Sequence, residues 1–255
     1  MRHILAICSE TFLLLRRDRV FVPALTIMFL LCYFAGVAGY WSIETYRKLI
    51  FDVLAAGFHL IGALIAIFWG TKLVADARRE GTTELQLAAP IKRHNWIIGK
   101  FLGLTFMLVF IGMILVVVSQ GMLLQQDVGW MGLDEITMFG LIVCSWIVLA
   151  SLAILFSTIA GYTTAMFSVF GMWIIGLTIR NISFALHRDT PEFIKTSVLQ
   201  ISRAWDLQRF NIVEQITTQT PLVYQDVQWN FIYGLTLCLI LLTLACIAIN
   251  NKDMA

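Results

Sequence analysis

Charge is what this chain has least of. Only 13% of its 255 residues are Asp, Glu, Lys or Arg, against about 25% in an ordinary soluble globular chain. With 59% hydrophobic residues and a mean hydropathy of +0.83, that shortage excludes a soluble globular domain. Reactive motifs are missing as well. No GxxxxGK(S/T) stretch is present to cradle nucleotide phosphates, and neither HExxH nor GxSxG occurs. The five cysteines, Cys8, Cys32, Cys144, Cys238 and Cys246, form no CxxC, and four fall within apolar runs. They are expected to pack as small apolar residues, without a disulfide framework or zinc site. No basic stripe with interleaved aromatics occurs, so nucleic acid is not an expected partner. All sixteen acidic residues lie outside the centres of the apolar runs, which argues against proton or sodium coupling through buried carboxylates.

What is abundant is long hydrophobic sequence. Six runs are each long enough to cross roughly 30 Å of hydrocarbon, which takes about 20 residues in a helix. They are Val20–Tyr40, Val53–Val74, Ile97–Ser119, Ile136–Phe156, Tyr162–Ile179 and Asn230–Ile249. None alternates like a barrel strand, and lipid cannot satisfy an open backbone. The expected fold is therefore an all-α polytopic membrane protein with six transmembrane helices, over 20–40, 53–74, 97–119, 136–156, 162–179 and 230–249. Basic residues set the orientation. Arg2, Arg16, Arg17, Arg19, Lys72, Arg78, Arg79, Lys92, Arg93, Lys100 and Lys252 gather on one side, whereas the short loops opposite carry only Arg47 and Lys48. By the positive-inside rule both termini face the cytoplasm.

Residues 1–19 are too short on their apolar side to cross and end in Arg-Arg-Asp-Arg, so a helix there should lie in the membrane interface. A cleaved signal peptide is not expected, because the basic cluster follows the apolar patch. Pro23 falls in the first turn of the first span, where its missing N–H costs least. Glycines at 99 and 103, and at 36 and 39, allow close helix approach, equally for internal packing or for a dimer seam. Tyr40, Trp41, Trp69, Trp96, Trp130 and Trp229 sit near run boundaries and read as interfacial anchors. His59 is the one histidine inside a run, and structural packing is the expectation over a proton relay. Lys72 can snorkel, with Asp76 one turn on as its partner. In the outer region 180–229, apolar residues at 194, 198, 201, 205 and 207 suggest an amphipathic helix or helix pair.

The loop 75–96 is the dense polar interruption. Asp76, Arg78, Arg79 and Glu80 extend the second helix, Gly81 breaks it, and Thr82 or Thr83 caps a new short helix. Glu84 suits that helix's first turn, Leu85 and Leu87 offer apolar contacts, and Pro90 ends it. From these residues alone it is equally a partner-facing helix or an ordinary charged inner loop.

The stretch Glu-Gly-Thr-Thr-Glu-Leu-Gln-Leu-Ala-Ala-Pro-Ile-Lys-Arg-His-Asn-Trp-Ile-Ile-Gly-Lys-Phe-Leu-Gly (80–103) resembles ABC-2 type transporter permeases. Gly-Thr-x-Glu-Leu, a small residue before Pro and a following Gly-Lys carry the likeness. Leu-Gln-Arg-Phe-Asn (207–211) is similar to a stretch in the subgroup with nitrous-oxide-reductase maturation permeases, although Trp205–Asp206 stands where that pattern often has Pro. The resemblance implies one ABC-2 type transmembrane domain over 1–255, with a short cytoplasmic coupling helix over Thr82–Ala89 within the coupling loop 75–96. It implies ATPase-coupling residues Arg79, Glu80, Gly81, Thr82, Thr83, Glu84, Leu85, Leu87, Pro90 and Lys92, and a translocation path facing Phe29, Tyr33 and Phe170. Partners would be a dimer of ABC ATPase subunits holding ATP and Mg, a second copy or homologous permease, the lipid bilayer and an outer-side accessory protein. The chain itself would carry no catalytic, cofactor or metal site. Such a protein would reside in a bacterial cytoplasmic membrane as part of an exporter. A membrane scaffold that recruits a cytoplasmic protein without transport is the competing reading.

Overall fold

In hydrocarbon a backbone has no partner but itself, and each of these Leu-, Ile-, Val- and Phe-rich runs folds as α-helix. The computed structural model describes residues 2–40, 46–79, 93–125, 129–185, 192–217 and 222–250, and among them there is no strand. Helix α1 spans Arg2–Arg16, α2 Phe21–Tyr40, α3 Tyr46–Arg79 and α4 Arg93–Gln125. They are followed by α5 at Leu133–Ile159, α6 at Tyr162–Ala185 and α7 at Glu192–Ala204. A 3-10 turn at Leu207–Phe210, a short α8 at Val213–Thr217 and α9 at Tyr224–Asn250 complete the order. Six of these helices, α2 to α6 and α9, are long and apolar enough to cross a membrane.

The spanning helices outrun their apolar stretches. Helix α3 has 34 residues, a length of about 51 Å at ~1.5 Å per residue, well beyond a hydrocarbon core of roughly 30 Å. Its polar ends therefore continue as helix outside that layer. One membrane face, here the amino-terminal face, gathers α1, the end of α3, the start of α4 and the turn between α5 and α6. The opposite face carries α7, the 3-10 turn and α8.

Helix α5 is the axis. It packs against α3, α4, α6 and α9, and 72% of its most apolar window is buried, against 28% for α2, α6 and α9. Its hydroxyls do not need water. Ser145, Ser151 and Thr158 each donate to a carbonyl three residues back, and Ser157 donates across to the Thr71 carbonyl of α3 at 2.8 Å. The outer faces of α2, α6 and α9 expose Ile27, Tyr33, Phe167, Ile174, Leu235 and Leu239, as surfaces meant for lipid or another subunit do.

Helix α1 lies along α4. Ile7, Thr11 and Leu15 are spaced four apart and buried, while Leu5, Leu13 and Leu14 are exposed. A Cβ on Gly99 would lie 2.8 Å from Ile7, and one on Gly103 would lie 2.7 Å from the Cys8 carbonyl. The glycine pair at 99 and 103 thus seats α1, an internal use. This arrangement corrects the expectation for two tryptophans. Trp69 and Trp96 are fully buried and are not interfacial anchors: Trp69 lies beneath the α1–α2 elbow, and Trp96 is enclosed within the bundle on α4. Trp69 stacks on Phe21 with ring centroids 6.4 Å apart, and the Lys100 ammonium sits over the Trp96 ring. Trp130 and Trp229 are exposed, while Trp41 lies outside the described residues.

Candidate functional site

The predicted coupling residues Glu80, Gly81, Thr82, Thr83, Glu84, Leu85, Leu87, Pro90 and Lys92 lie outside the described residues, as does the Arg79 side chain. The two stems of that segment are described: α3 as far as Arg79 and α4 from Arg93.

Both stems are braced. Lys72, on the α3 stem, places Nζ 2.6 Å from Oδ2 of Asp18. Asp18 sits in the elbow between α1 and α2, its side chain 5% exposed, and its other oxygen accepts the Val20 N–H at 3.1 Å. One carboxylate therefore caps the start of α2 and ties it to α3. The expected Lys72–Asp76 pair is not the ion pair formed. The elbow folds back over α3 and offers a nearly dry carboxylate in direct contact with the ammonium. The lysine ammonium lies over the Phe68 ring, 5.6 Å from its centroid, and that ring in turn meets Tyr162 at the start of α6 edge-on. The same stem is held to α5 by the Ser157 hydrogen bond and by Gly70, where an added Cβ would lie 2.6 Å from Ala153. The α4 stem is held by α1 and by Arg93, which reaches the Ile249 carbonyl near the end of α9 at 3.4 Å. A cavity of about 800 Å³ opens beside the elbow, with Arg17, Arg19, Asp76 and Lys100 among its lining residues.

The opposite face is closed by a wedge. Helix α7 stops at Ala204, short of the apolar pattern that continues through 205 and 207. Asp206 caps the 3-10 turn by accepting the Gln208 N–H at 3.0 Å, and it turns the chain inward. Leu207 and Phe210 are then fully buried among α5, α6 and α9. Leu207 fills the space at Gly176 and Phe210 that at Gly234. Trp205 Nε1 donates to the Met172 carbonyl at 2.8 Å, Gln208 Nε2 donates to the Leu177 carbonyl, and the Tyr233 hydroxyl donates to the Ala204 carbonyl. Arg209 lies over the Tyr233 ring, 4.8 Å from its centroid, and 3.4 Å from Asp206. The sequence reading missed this re-entry. Its signal was Asp206 followed by apolar residues three apart, a capped turn with one buried side.

Phe29 and Tyr33 on α2 and Phe170 on α6 are all partly exposed on the protomer surface. Among the described residues no ring contact joins Phe170 to Phe29 or Tyr33; it pairs instead with Trp173. His59, on α3, is half-buried, and its Nε2 is buried with no hydrogen-bond partner among the described residues. No group of three or more His, Cys, Asp or Glu is placed to hold a metal among the described residues.

The arrangement suits mechanical work more than bond chemistry: a braced pair of stems on one face, a plugged end on the other, and apolar flanks between. No curated protein matches the sequence. Residues 5–254 match the family pattern described as ABC-2 family transporter protein, nearly the whole chain. Members of this family are membrane components of transporters, without a catalytic site of their own, and generally work with an ABC ATPase partner. This six-span, multi-pass membrane chain belongs to the ABC-2 transporter family.

Proposed function

We propose that the chain is the permease subunit of an ATP-driven exporter, working as a dimer and driven through residues 80–92 by separate ATPase subunits. The observation that carries this reading is the bracing of both stems of that segment. A push delivered between Arg79 and Arg93 would reach α2 through Lys72–Asp18, α5 through Thr71–Ser157, and α1 through Gly99 and Gly103. Displacement of one short segment would therefore move several helices together, as packed side chains transmit rigid shifts. The positive-inside rule, applied to the basic residues of the amino-terminal face, supports a cytoplasmic orientation for it, and an ATPase holding ATP and Mg would dock there. Phe29, Tyr33 and Phe170 would face the path between protomers, and a bacterial inner membrane would be the site of action.

The test is co-purification with a candidate ATPase and ATP-dependent transport, comparing wild type with Glu84→Arg combined with Leu85→Asp. Normal membrane insertion with loss of ATPase binding or of transport is the expected result. Unchanged binding and transport would overturn the assignment of 80–92. Retained ATPase binding by a wild-type chain that moves nothing would favour a scaffold.

A further inference from the structure

The opposite face holds more polar chemistry than a plug needs. Two cavities, of about 400 and 590 Å³, adjoin through shared lining residues Arg180, Gln208 and Asn211. The smaller reaches inward to His59, whose buried Nε2 has no hydrogen-bond partner among the described residues. An unmade hydrogen bond at the back of a cavity is unfavourable unless something polar enters. The larger opens between α7 and α9, with Arg203 on one wall and Asp226 on the other. Arg209 and Asp206 are already paired. Arg203 and Asp226 form no ion pair with any described residue.

A lone anion here would meet Asp226, and a lone cation would meet Arg203. A molecule carrying both charges satisfies both walls. The mouth is lined by exposed Trp229, with exposed Ile232 and Leu235 one and two turns further along α9. Those side chains form a surface on which acyl chains would lie, with the tryptophan at headgroup depth. Phosphate suits the forked guanidinium of Arg203. A primary ammonium, with three N–H donors, suits the Asp226 carboxylate in a way that a trimethylated one does not.

We propose that this vestibule binds a phosphate–ammonium zwitterion, the headgroup of a phosphatidylethanolamine-type lipid from the adjoining leaflet. The proposal does not depend on an ATPase. It is tested on the full chain in bilayers of mixed phosphatidylethanolamine, phosphatidylcholine and phosphatidylglycerol, by native mass spectrometry of the retained lipids. The ethanolamine lipid should be enriched about fivefold over the choline lipid, a difference of about 1 kcal/mol. Arg203→Gln and Asp226→Asn should each abolish most of that enrichment, whereas Lys195→Gln on the same α7 should leave it intact. Both test positions are exposed, and thermal unfolding of each variant checks that it folds as wild type. A parallel arm adds free phosphoethanolamine to protein in choline lipid alone. Wild-type-specific stabilisation there, without lipid enrichment, would keep the zwitterion chemistry and assign it to a soluble ligand. Equal retention of all lipids with no response to phosphoethanolamine, or enrichment indifferent to both variants, would overturn the proposal.

Discussion

The two membrane faces of this protein are fastened by different means. At the amino-terminal face the tie is ionic: Lys72 meets the nearly dry carboxylate of Asp18, which also caps α2. At the opposite face the tie is one of shape: Leu207 and Phe210 fill hollows left by Gly176 and Gly234. An ionic tie is set by one distance and one charge, and it can be released and remade without exposing a core. A wedge is set by volume and resists until the surrounding helices part. The contrast places an adjustable joint next to residues 80–92 and a stiff seal at the far end.

The comparison is broken most directly at the seal. Phe210→Ala should cost about 3–5 kcal/mol, the range for deleting a buried phenyl ring. Thermal unfolding of the purified protein in detergent would read it, and a loss below that of any charge substitution would mean that the wedge is not the stiff end.

At the joint, Lys72→Met keeps a long unbranched side chain but strands the Asp18 carboxylate. The expected loss is about 1–3 kcal/mol, less than for a fully buried pair because the lysine side chain is 33% exposed. Adding Asp18→Asn should recover most of it, since the amide oxygen still accepts the Val20 N–H without an orphaned charge. Failure of the second substitution to recover stability, measured by the same unfolding assay, would show that charge is not what holds the elbow. The smallest effect is expected for Arg47→Gln on the opposite face. Its pair with Glu135 is 2.5 Å long, but the arginine side chain is 48% exposed, so a change below about 1 kcal/mol is expected. A larger loss would mean that ion pairs matter at both ends.

The six spans were legible because an uninterrupted apolar run of about 20 residues has few other stable fates. Helix α1 was legible for the complementary reason, a run too short to cross that ends in Arg16 and Arg17. What escaped the sequence was long-range. Nothing local joins Lys72 to Asp18, 54 positions away, so the nearer Asp76 looked like its partner. Trp69 and Trp96 resembled interfacial anchors because a boundary position is defined along one helix. Only the elbow and α1, packing over them, turned boundary into interior. At 205–210 an amphipathic pattern ran on past the end of its helix, and the cap at Asp206 decided the turn inward. The coupling residues around Glu84 rest on the family likeness and on their stems. Phe29, Tyr33 and Phe170 were legible only as aromatic residues within apolar runs, with no signal for what they face.

The wedge also bears on how the protein is made. Residues 205–213 leave the ribosome before α9, yet Tyr233 and Gly234, half of the wedge's socket, belong to α9. The flank of α5 that meets α9 waits uncovered over the same interval. Insertion of the last helix is therefore the step that seats the wedge and encloses the axis together. A nascent chain stalled before Tyr224 would present an open side to the insertion machinery, recognisable as unfinished.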